Sequence, residues 1–405
     1  MEPAIRPFKI DVADWNLQSL RTKLSHATFV EEAPVSESWD YGVPVSDLKR
    51  LVAHWKTDFD WRAQETTLNA LPQYKTLINV EGFGDLDTHF IHQRSERPGS
   101  VPLVFCHGWP GSFLEVTKIL PLLVSPEDGP SFHVVAPSLP NFGFSGGPSK
   151  PGFGIAQYAE CLHKLMLRLG YNKYVTQGGD WGFAITRLMG IKYPTHCLAS
   201  HLNYIRASRP TLTQHPLQYL QYLLPRTAQE KAGLARTRWF MTQGLGYNVE
   251  QSTRPSTIGA ALADSPVALL AWIYEKLHDW TDAYPWTDDE ILTWVSVYLF
   301  SAVGPAASAR IYFEAQNTHP KRREDRRIME YNPGVKLGLS YFPKDLLVFP
   351  KCYGQTLGPV VFERVHEDGG HFAAWERPEK LVGDVREMFG PGGGAYDVSM
   401  VWSGK

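Results

Sequence analysis

Hydrophobic and polar positions change their pattern twice along the chain. Up to residue 75 they favour helices: Asp14 precedes leucines 17, 20 and 24 at helical spacing, and residues 46–55 have the same character. This stretch has no alternating strand signal. It therefore predicts a segment that wraps around the rest of the protein and is not an independent domain.

From about residue 86, short apolar runs alternate with helical periodicity. The run at residues 101–106 is continuous, as expected of a strand that is buried on both faces. Strands that alternate with helices predict an α/β fold with a mostly parallel sheet and helices on both faces. Strands are predicted at residues 88–93, 101–106, 133–136, 174–177 and 198–205, and helices at residues 113–124, 155–169 and 182–191.

The strand signal stops near residue 209 and returns after residue 333. Residues 267–277 and 291–303 are helical in pattern, so the interval predicts a helical insertion, and its basic stretch at residues 319–327 predicts a solvated loop. Beyond it we expect strands at residues 338–342 and 360–365, a helix from Pro378 and a poorly ordered glycine-rich tail from Gly390.

Composition narrows the class of protein. Lys+Arg is 40 and Asp+Glu is 42, a formal net charge of −2, which disfavours a nucleic-acid partner. The apolar stretches are too short or too interrupted for an integral membrane segment, and residues 1–11 do not have the pattern of a signal peptide. The four cysteines are scattered without a CxxC pair, which favours reduced thiols in a cytoplasmic protein over disulfides or a zinc site.

Gly-Gly-Asp-Trp-Gly at residues 178–182 lies between a predicted strand and a predicted helix. This context matches the G-x-nucleophile-x-G elbow, with Asp180 at the nucleophile position. The flanking glycines suit a tight, strained turn that holds the central side chain above the sheet. The competing interpretation, an aspartate that only caps the helix, leaves the other motifs without a role.

Two further motifs complete this chemistry. His-Gly-Trp-Pro-Gly at residues 107–111 ends an early strand, where such architectures place a second oxyanion N–H donor, and its Trp109–Pro110 bond is a candidate cis peptide.

His371 follows the last predicted strand, the place of a general base. An acid must precede it, and Asp345 suits that position. Glu367 and Asp368 are too close to His371, and Glu363 falls within a strand.

An aspartate nucleophile indicates the type of substrate. A carboxylate is already anionic and suits attack on an sp³ carbon, which forms an alkyl ester that a histidine-activated water then hydrolyses. The sequence therefore favours epoxides or alkyl halides over carboxylic esters.

With these motifs in view, the chain resembles the epoxide hydrolases of the α/β-hydrolase superfamily, of the microsomal type and in particular its soluble fungal branch without a membrane anchor. The resemblance covers nearly the whole chain. It rests on Trp55 and FDWR (59–62), HGWPGS (107–112), PSLPNFGFS (137–145), GGDWG (178–182), STRPSTIG (252–259), SPVALLAW (265–272), YFPKDL (341–346) and GGHFAAWERP (369–378).

The resemblance implies an N-terminal meander (1–75) that clamps a helical cap (209–333) to an α/β-hydrolase core formed by residues 76–208 and 334–405. It assigns Asp180 as nucleophile, His371 with Asp345 as the pair that activates water, and the cap residues Tyr247 and Tyr312 as proton donors to the epoxide oxygen. The backbone N–H groups of Trp109 and Trp181 are the expected oxyanion donors. No cofactor or metal is expected; the partners are a small epoxide and water, and a homodimer is left open.

Two positions depart from the family pattern. Asn141 replaces a usual glycine, and Phe183 replaces a usual small residue beside the elbow. Three other functions stay open at this point: a haloalkane or haloacid dehalogenase, an epoxide-opening cyclase, and a non-catalytic ligand-binding protein on the same fold. The dehalogenase gives no role to Tyr247 and Tyr312, and an intact triad speaks against a protein without catalysis.

Overall fold

A nine-stranded sheet organises the protein in the computed structural model, which describes residues 4–317 and 327–402. The strand order is β1-β2-β3-β5-β4-β6-β7-β8-β9; the pairs from β1 to β5 are antiparallel, and β5-β4-β6-β7-β8-β9 are parallel. The predicted α/β class is confirmed. The strands are β1 Arg6–Pro7, β2 Gln73–Val80, β3 Gly84–Gln93, β4 Val101–Cys106, β5 Phe132–Pro137, β6 Tyr174–Gly178, β7 Cys197–Leu202, β8 Lys336–Tyr341 and β9 Val360–Val365.

Helices cover the sheet and fill the interval between β7 and β8. Helices α5 and α6 pack on each other and on the sheet, and so do α4 and α16. The α-helices of the described residues are α1 Asp14–Ser25, α2 Val45–Thr57, α3 Trp61–Leu68, α4 Leu120–Val124, α5 Ile155–Arg168, α6 Trp181–Lys192, α7 Pro216–Leu223, α8 Ala228–Trp239, α9 Gly246–Thr253, α10 Pro255–Asp264, α11 Pro266–Asp279, α12 Asp288–Leu299, α13 Arg310–Asn317, α14 Lys351–Gly354, α15 Ala373–Glu376, α16 Pro378–Phe389 and α17 Tyr396–Ser399.

The core lies around the central parallel strands. Every residue of β4 and of β6 is buried, as the continuous apolar runs predict for strands covered on both faces. The carboxyl ends of β4, β6 and β8 meet at one edge of the sheet, where ligand sites of parallel α/β folds form. The loops that follow these three strands contain HGWPG, GGDWG and Asp345.

The N-terminal segment touches both the sheet and the inserted helices. β1 pairs with β2, while Lys23 donates a hydrogen bond to the carbonyl oxygen of Asp264 at 2.6 Å and His54 Nε2 lies 2.7 Å from Asp289 Oδ1. The ring of Trp39 stacks on His278 with centroids 3.5 Å apart. These contacts fit the predicted clamp, although the domain boundaries at residues 75, 208 and 333 stay predictions.

Three features differ from the pattern-based prediction. β1 and β2 carried no recognised strand signal; β2 alternates only partly, because Leu77 is exposed between its buried positions. The helix predicted at residues 113–124 is a 3₁₀ turn, Phe113–Val116, followed by α4. The tail expected to be poorly ordered contains α17 and buries Ala395 and Val398. Most of the basic stretch at residues 319–327 lies outside the described residues.

Within residues 4–317 and 327–402, no single helix is long and apolar enough to cross a membrane. Helices α10 and α11 reach that threshold only together, across a bend of 115°. All four cysteines are free and buried, in agreement with the interpretation as thiols.

Candidate active site

Asp180 lies at a strained turn between β6 and α6. Its φ of +50° and ψ of −123° are unusual for a residue with a side chain, and this conformation is the one that an elbow nucleophile requires. Gly182 explains how the turn is tolerated: a Cβ atom there would lie 2.0 Å from the carbonyl oxygen of Cys106 on the neighbouring strand. Only a glycine at 182 lets the start of α6 approach β4 this closely.

The two carboxylate oxygens of Asp180 have different environments. The backbone N–H of Trp109 donates a hydrogen bond to Oδ1 at 2.8 Å, and Nε2 of His371 lies 3.5 Å from Oδ2. The Trp109–Pro110 peptide bond is cis, as anticipated. Oδ1 is therefore held by a backbone donor, whereas Oδ2 faces the histidine.

His371 is held between two carboxylates. Its Nδ1 lies 2.6 Å from Oδ1 of Asp345, which also accepts a hydrogen bond from the N–H of Leu346 at 2.7 Å. The excluded acids have other partners: Glu363 accepts hydrogen bonds from Tyr341 and Gln355, and Asp368 pairs with basic side chains of α16 and its preceding residue. The three predicted members Asp180, His371 and Asp345 therefore form one connected chain.

The protonation state of His371 depends on both carboxylates. Burial lowers the pKa of His371, but the charges and hydrogen bonds of Asp345 and Asp180 outweigh burial and raise it to about 10. The imidazole is thus protonated at neutral pH as long as Asp180 is ionised.

Tyr247 and Tyr312, on α9 and α13 of the insertion, form one side of the site. The Tyr247 ring stacks on Trp109 with centroids 4.9 Å apart, and the Tyr312 ring meets Trp109 edge-on at 5.7 Å. The two tyrosine rings lie 5.7 Å apart, and both are buried. The Tyr312 hydroxyl has no hydrogen-bond partner within the described parts of the chain, so it is available to a ligand.

Burial is the largest cause that raises the pKa of both tyrosines well above the ordinary value, and nearby acidic groups that include Asp180 raise it further. Both phenols are therefore neutral and able to donate a proton. Trp181 follows Asp180 at the start of α6, and its ring meets Tyr312 edge-on at 4.8 Å. Its backbone N–H stays a predicted oxyanion donor, whereas the N–H of Trp109 already contacts the carboxylate.

Two acidic residues of the site were not singled out from the sequence, although both lie in or beside quoted motifs. Glu115 lines the cavity next to Asp180 and His371, and burial raises its pKa to about 8. Glu376 is buried in α15 and accepts a hydrogen bond from the N–H of Gly370, in the loop that holds His371. The signal was their position in continuous motifs, HGWPGSFLE and GGHFAAWERP.

The two departures from the family pattern fit locally. Asn141 has a φ of +72°, and asparagine tolerates this left-handed conformation better than most residues. Phe183 is buried in α6, and its ring meets Tyr204 edge-on at 6.0 Å. Tyr204 in turn meets the His371 ring edge-on at 5.7 Å, so Phe183 lies behind the histidine through one intervening ring.

Comparison with known proteins agrees with this geometry. Residues 5–116 match the family model described as the epoxide hydrolase N terminus, and residues 101–241 match the α/β hydrolase fold. A putative epoxide hydrolase of Stigmatella aurantiaca is 38% identical over 95% of this chain and 84% of its own length. Epoxide hydrolase 1 of Sus scrofa is 34% identical over 96% of this chain and 89% of its own length.

Solved structures give the same picture. The epoxide hydrolase of Aspergillus niger superposes with a TM-score of 0.80 at 38% identity, covering 94% of this chain and 95% of that one. The juvenile hormone epoxide hydrolase of Bombyx mori gives a TM-score of 0.82 at 29% identity, with 95% and 93% covered. These relatives do not favour the dehalogenase, cyclase or non-catalytic alternatives. The chain belongs to the epoxide hydrolase family of the α/β-hydrolase fold.

Proposed function

We propose that this epoxide hydrolase converts its substrate into a vicinal diol through a covalent ester on Asp180. The observation that supports this most directly is the difference between the environments of the two Asp180 carboxylate oxygens. Oδ1 accepts the N–H of Trp109, so Oδ2, which faces Nε2 of His371 at 3.5 Å, is the oxygen that attacks. The substrate class is a small epoxide, and water is the second substrate.

In the first step, Oδ2 of Asp180 attacks an epoxide carbon and the carbon–oxygen bond of the ring breaks. The oxygen that leaves develops negative charge, and a hydroxyl of Tyr247 or Tyr312 gives it a proton. Hydrogen bonds at this oxygen stabilise the transition state more than the ground state, because the charge is present only there. The product is a hydroxyalkyl ester of Asp180 and a tyrosinate.

Ring opening also prepares the base for the second step. The ester is neutral, so one of the two charges that raise the pKa of His371 disappears. The pKa of His371 then falls, and the imidazolium can return a proton to the tyrosinate. The resulting neutral imidazole is the base that hydrolysis needs.

In the second step, Nε2 of His371 removes a proton from water, and the hydroxide attacks the ester carbonyl carbon. The oxyanion forms on the oxygen held by the N–H of Trp109, with the N–H of Trp181 as the second proposed donor. Collapse of the tetrahedral intermediate breaks the bond between the Asp180 carbonyl carbon and Oδ2, which leaves as a hydroxyl oxygen of the diol. The imidazolium of His371 protonates this oxygen, and the new carboxyl group of Asp180 returns a proton to His371. The diol leaves, and the carboxylate of Asp180 is restored.

The proposal is tested with aryl, alkyl and terpenoid epoxides in parallel with matched alkyl halides. We expect diol formation from the epoxides and no enzymatic halide release. Halide release without diol formation would contradict the proposal, and the stereochemistry of the diols would define the regiochemistry of attack.

Replacing either cap tyrosine tests the proton donors. We expect Tyr247→Phe or Tyr312→Phe to slow ester formation by about 10²-fold or less, because the second phenol remains, and the double variant to be far slower. Ester hydrolysis should change little. Quenching of tryptophan fluorescence under pre-steady-state conditions follows ester formation, since Trp109 contacts both tyrosines and Asp180. Ester formation at the wild-type rate in the double variant would exclude these roles.

The two steps should depend differently on pH. His371 has a pKa of about 10 in the free enzyme, so ester formation should change little between about pH 6 and pH 9. Ester hydrolysis should accelerate as pH rises over the same interval, because the neutral ester lowers the pKa of His371 and the base must be deprotonated. Rapid-mixing measurements of both rate constants check this, and a pH-independent hydrolysis rate would contradict it.

Location in the cytoplasm and formation of a homodimer stay predictions. They can be checked by fractionation of the source cells and by light scattering of the purified protein.

A further inference from the structure

Four hydrogen bonds join the loop of His371 to the turn at the end of α11. The N–H of His371 donates to the carbonyl oxygen of Trp280 at 2.7 Å, and the N–H of Gly369 donates to Oδ2 of Asp282 at 2.9 Å. The carboxylate of Glu376 bridges the two segments: Oε1 accepts the N–H of Gly370 at 2.8 Å, and Oε2 accepts the N–H of Asp282 at 2.9 Å.

The space at this junction leaves little freedom. A Cβ atom at position 370 would lie 2.4 Å from the carbonyl oxygen of Trp280 and 3.0 Å from Oε1 of Glu376. Gly370 is therefore required for the loop to approach the α11 turn. Glu376 itself is 5% exposed, so the two backbone donors stand in for water around its carboxylate.

The acid of the triad is tied to the same turn. The guanidinium of Arg236, on α8, donates to the carbonyl oxygens of Asp345 and Lys344, each at 3.1 Å, and to that of Asp279 at 2.7 Å. Residues 279–282, which we call the α11 turn, are thus bonded directly to the loop of His371 and linked through Arg236 to the loop of Asp345.

We propose that Glu376 is a positioning residue that fixes the loop of His371 to the α11 turn, and that the inserted helices thereby set the position of the catalytic histidine. This inference rests on the proposed function. No role in binding the epoxide is assigned to Glu376, which acts through the backbone of Gly370.

A specific kinetic signature follows. Hydrolysis needs Nε2 of His371 at a defined distance from water and the ester, and a small displacement of a catalytic group costs about 10- to 100-fold in rate. Ester formation needs only the carboxylate of Asp180 and a proton donor, neither of which Glu376 contacts. A carboxamide has a single acceptor oxygen, so Glu376→Gln leaves one of the two N–H donors without a partner.

The test compares Glu376→Gln with Glu379→Gln, a matched change at an exposed position on α16. The accumulation and decay of the Asp180 ester are followed by mass spectrometry and rapid mixing. We expect Glu376→Gln to slow ester decay by about 10-fold or more and ester formation by no more than about 2-fold. Glu379→Gln should match the wild type in both steps. Equal slowing of both steps, or none, would overturn the inference.

A double-variant cycle separates positioning from general destabilisation. In a His371→Gln background the base is already absent, so Glu376→Gln should slow ester decay no further. A further slowing by the factor seen in the wild-type background would show that Glu376 acts independently of His371 and would overturn the inference. If the wild-type enzyme formed no ester at all, the proposed function would fail, and this outcome differs from both results for Glu376.

Asp282 offers a second, milder test in case Glu376→Gln folds poorly. Asp282→Asn keeps an oxygen that can accept the N–H of Gly369. In this variant the Asp180 ester should decay at nearly the wild-type rate. Asp282→Ala removes the acceptor and should slow decay without affecting ester formation. Identical decay in wild type and Asp282→Ala would overturn the link between the α11 turn and His371.

Discussion

Asp180→Asn should abolish nearly all diol formation. An amide is a poor nucleophile toward an sp³ carbon, and the loss of a nucleophile that acts as part of a unit costs about 10⁴-fold or more in rate. The fold should be retained, because the amide oxygen can still accept the N–H of Trp109. Diol production under steady-state conditions measures the loss, and a circular dichroism spectrum like that of the wild type confirms folding.

Isotope labelling tests the same residue without a substitution. In one turnover in ¹⁸O-labelled water, the label should enter the carboxylate of Asp180, and the diol should contain an unlabelled oxygen from the protein. Label in the first-turnover diol would mean that water attacks the epoxide directly. Slow return of activity in Asp180→Asn, with a mass gain of about one unit as the amide converts to the acid, would be deamidation and can be checked by mass spectrometry.

His371→Gln should trap the covalent intermediate. Ester formation requires no base, whereas hydrolysis does, so the variant should accumulate one substrate on Asp180 while turnover nearly stops. The observable is an intact-protein mass increase equal to one epoxide, followed by peptide mapping to Asp180.

Asp345→Ala provides the graded comparison for His371→Gln. Asp345 orients the imidazole through a 2.6 Å contact and stabilises its charged form, so its loss should slow ester decay less than the loss of the imidazole itself. Sustained diol production by His371→Gln without any adduct would contradict the role of His371 as base.

The core of the site could be predicted from sequence because its residues follow strands. HGWPG, GGDWG and Asp345 each come after a buried apolar run, and the carboxyl ends of parallel strands meet at one edge. The strand pattern, together with the elbow motif and the chain order of nucleophile, acid and histidine, therefore predicted that these loops form one site. The two cap tyrosines do not follow predicted strands. Tyr247 and Tyr312 were therefore assigned only through the resemblance to a family.

Other features depend on tertiary packing that local pattern does not encode. β2 has one buried face, which ordinarily gives a clean alternation, but a threonine is at its buried position 76 and a leucine at its exposed position 77, so the apolar and polar residues alternate poorly. Nothing in the local sequence distinguishes Glu376 from an ordinary helix residue, because its partner Asp282 is brought to it only by the fold. The ordered tail is explained by the burial of Ala395 and Val398, which hold it against the rest of the protein.

The contacts between the N-terminal helices and the inserted helices also set the order of events on the ribosome. The partners of Lys23 and His54 lie 241 and 235 residues later in the chain. At about 5–20 residues per second, α1 and α2 wait roughly 12 to 50 seconds for their partners to be synthesised. Throughout that time the side of α2 that finally contacts α11 and α12 is exposed. We therefore expect the nascent chain to engage chaperones early and to become protease-resistant only after the inserted helices emerge.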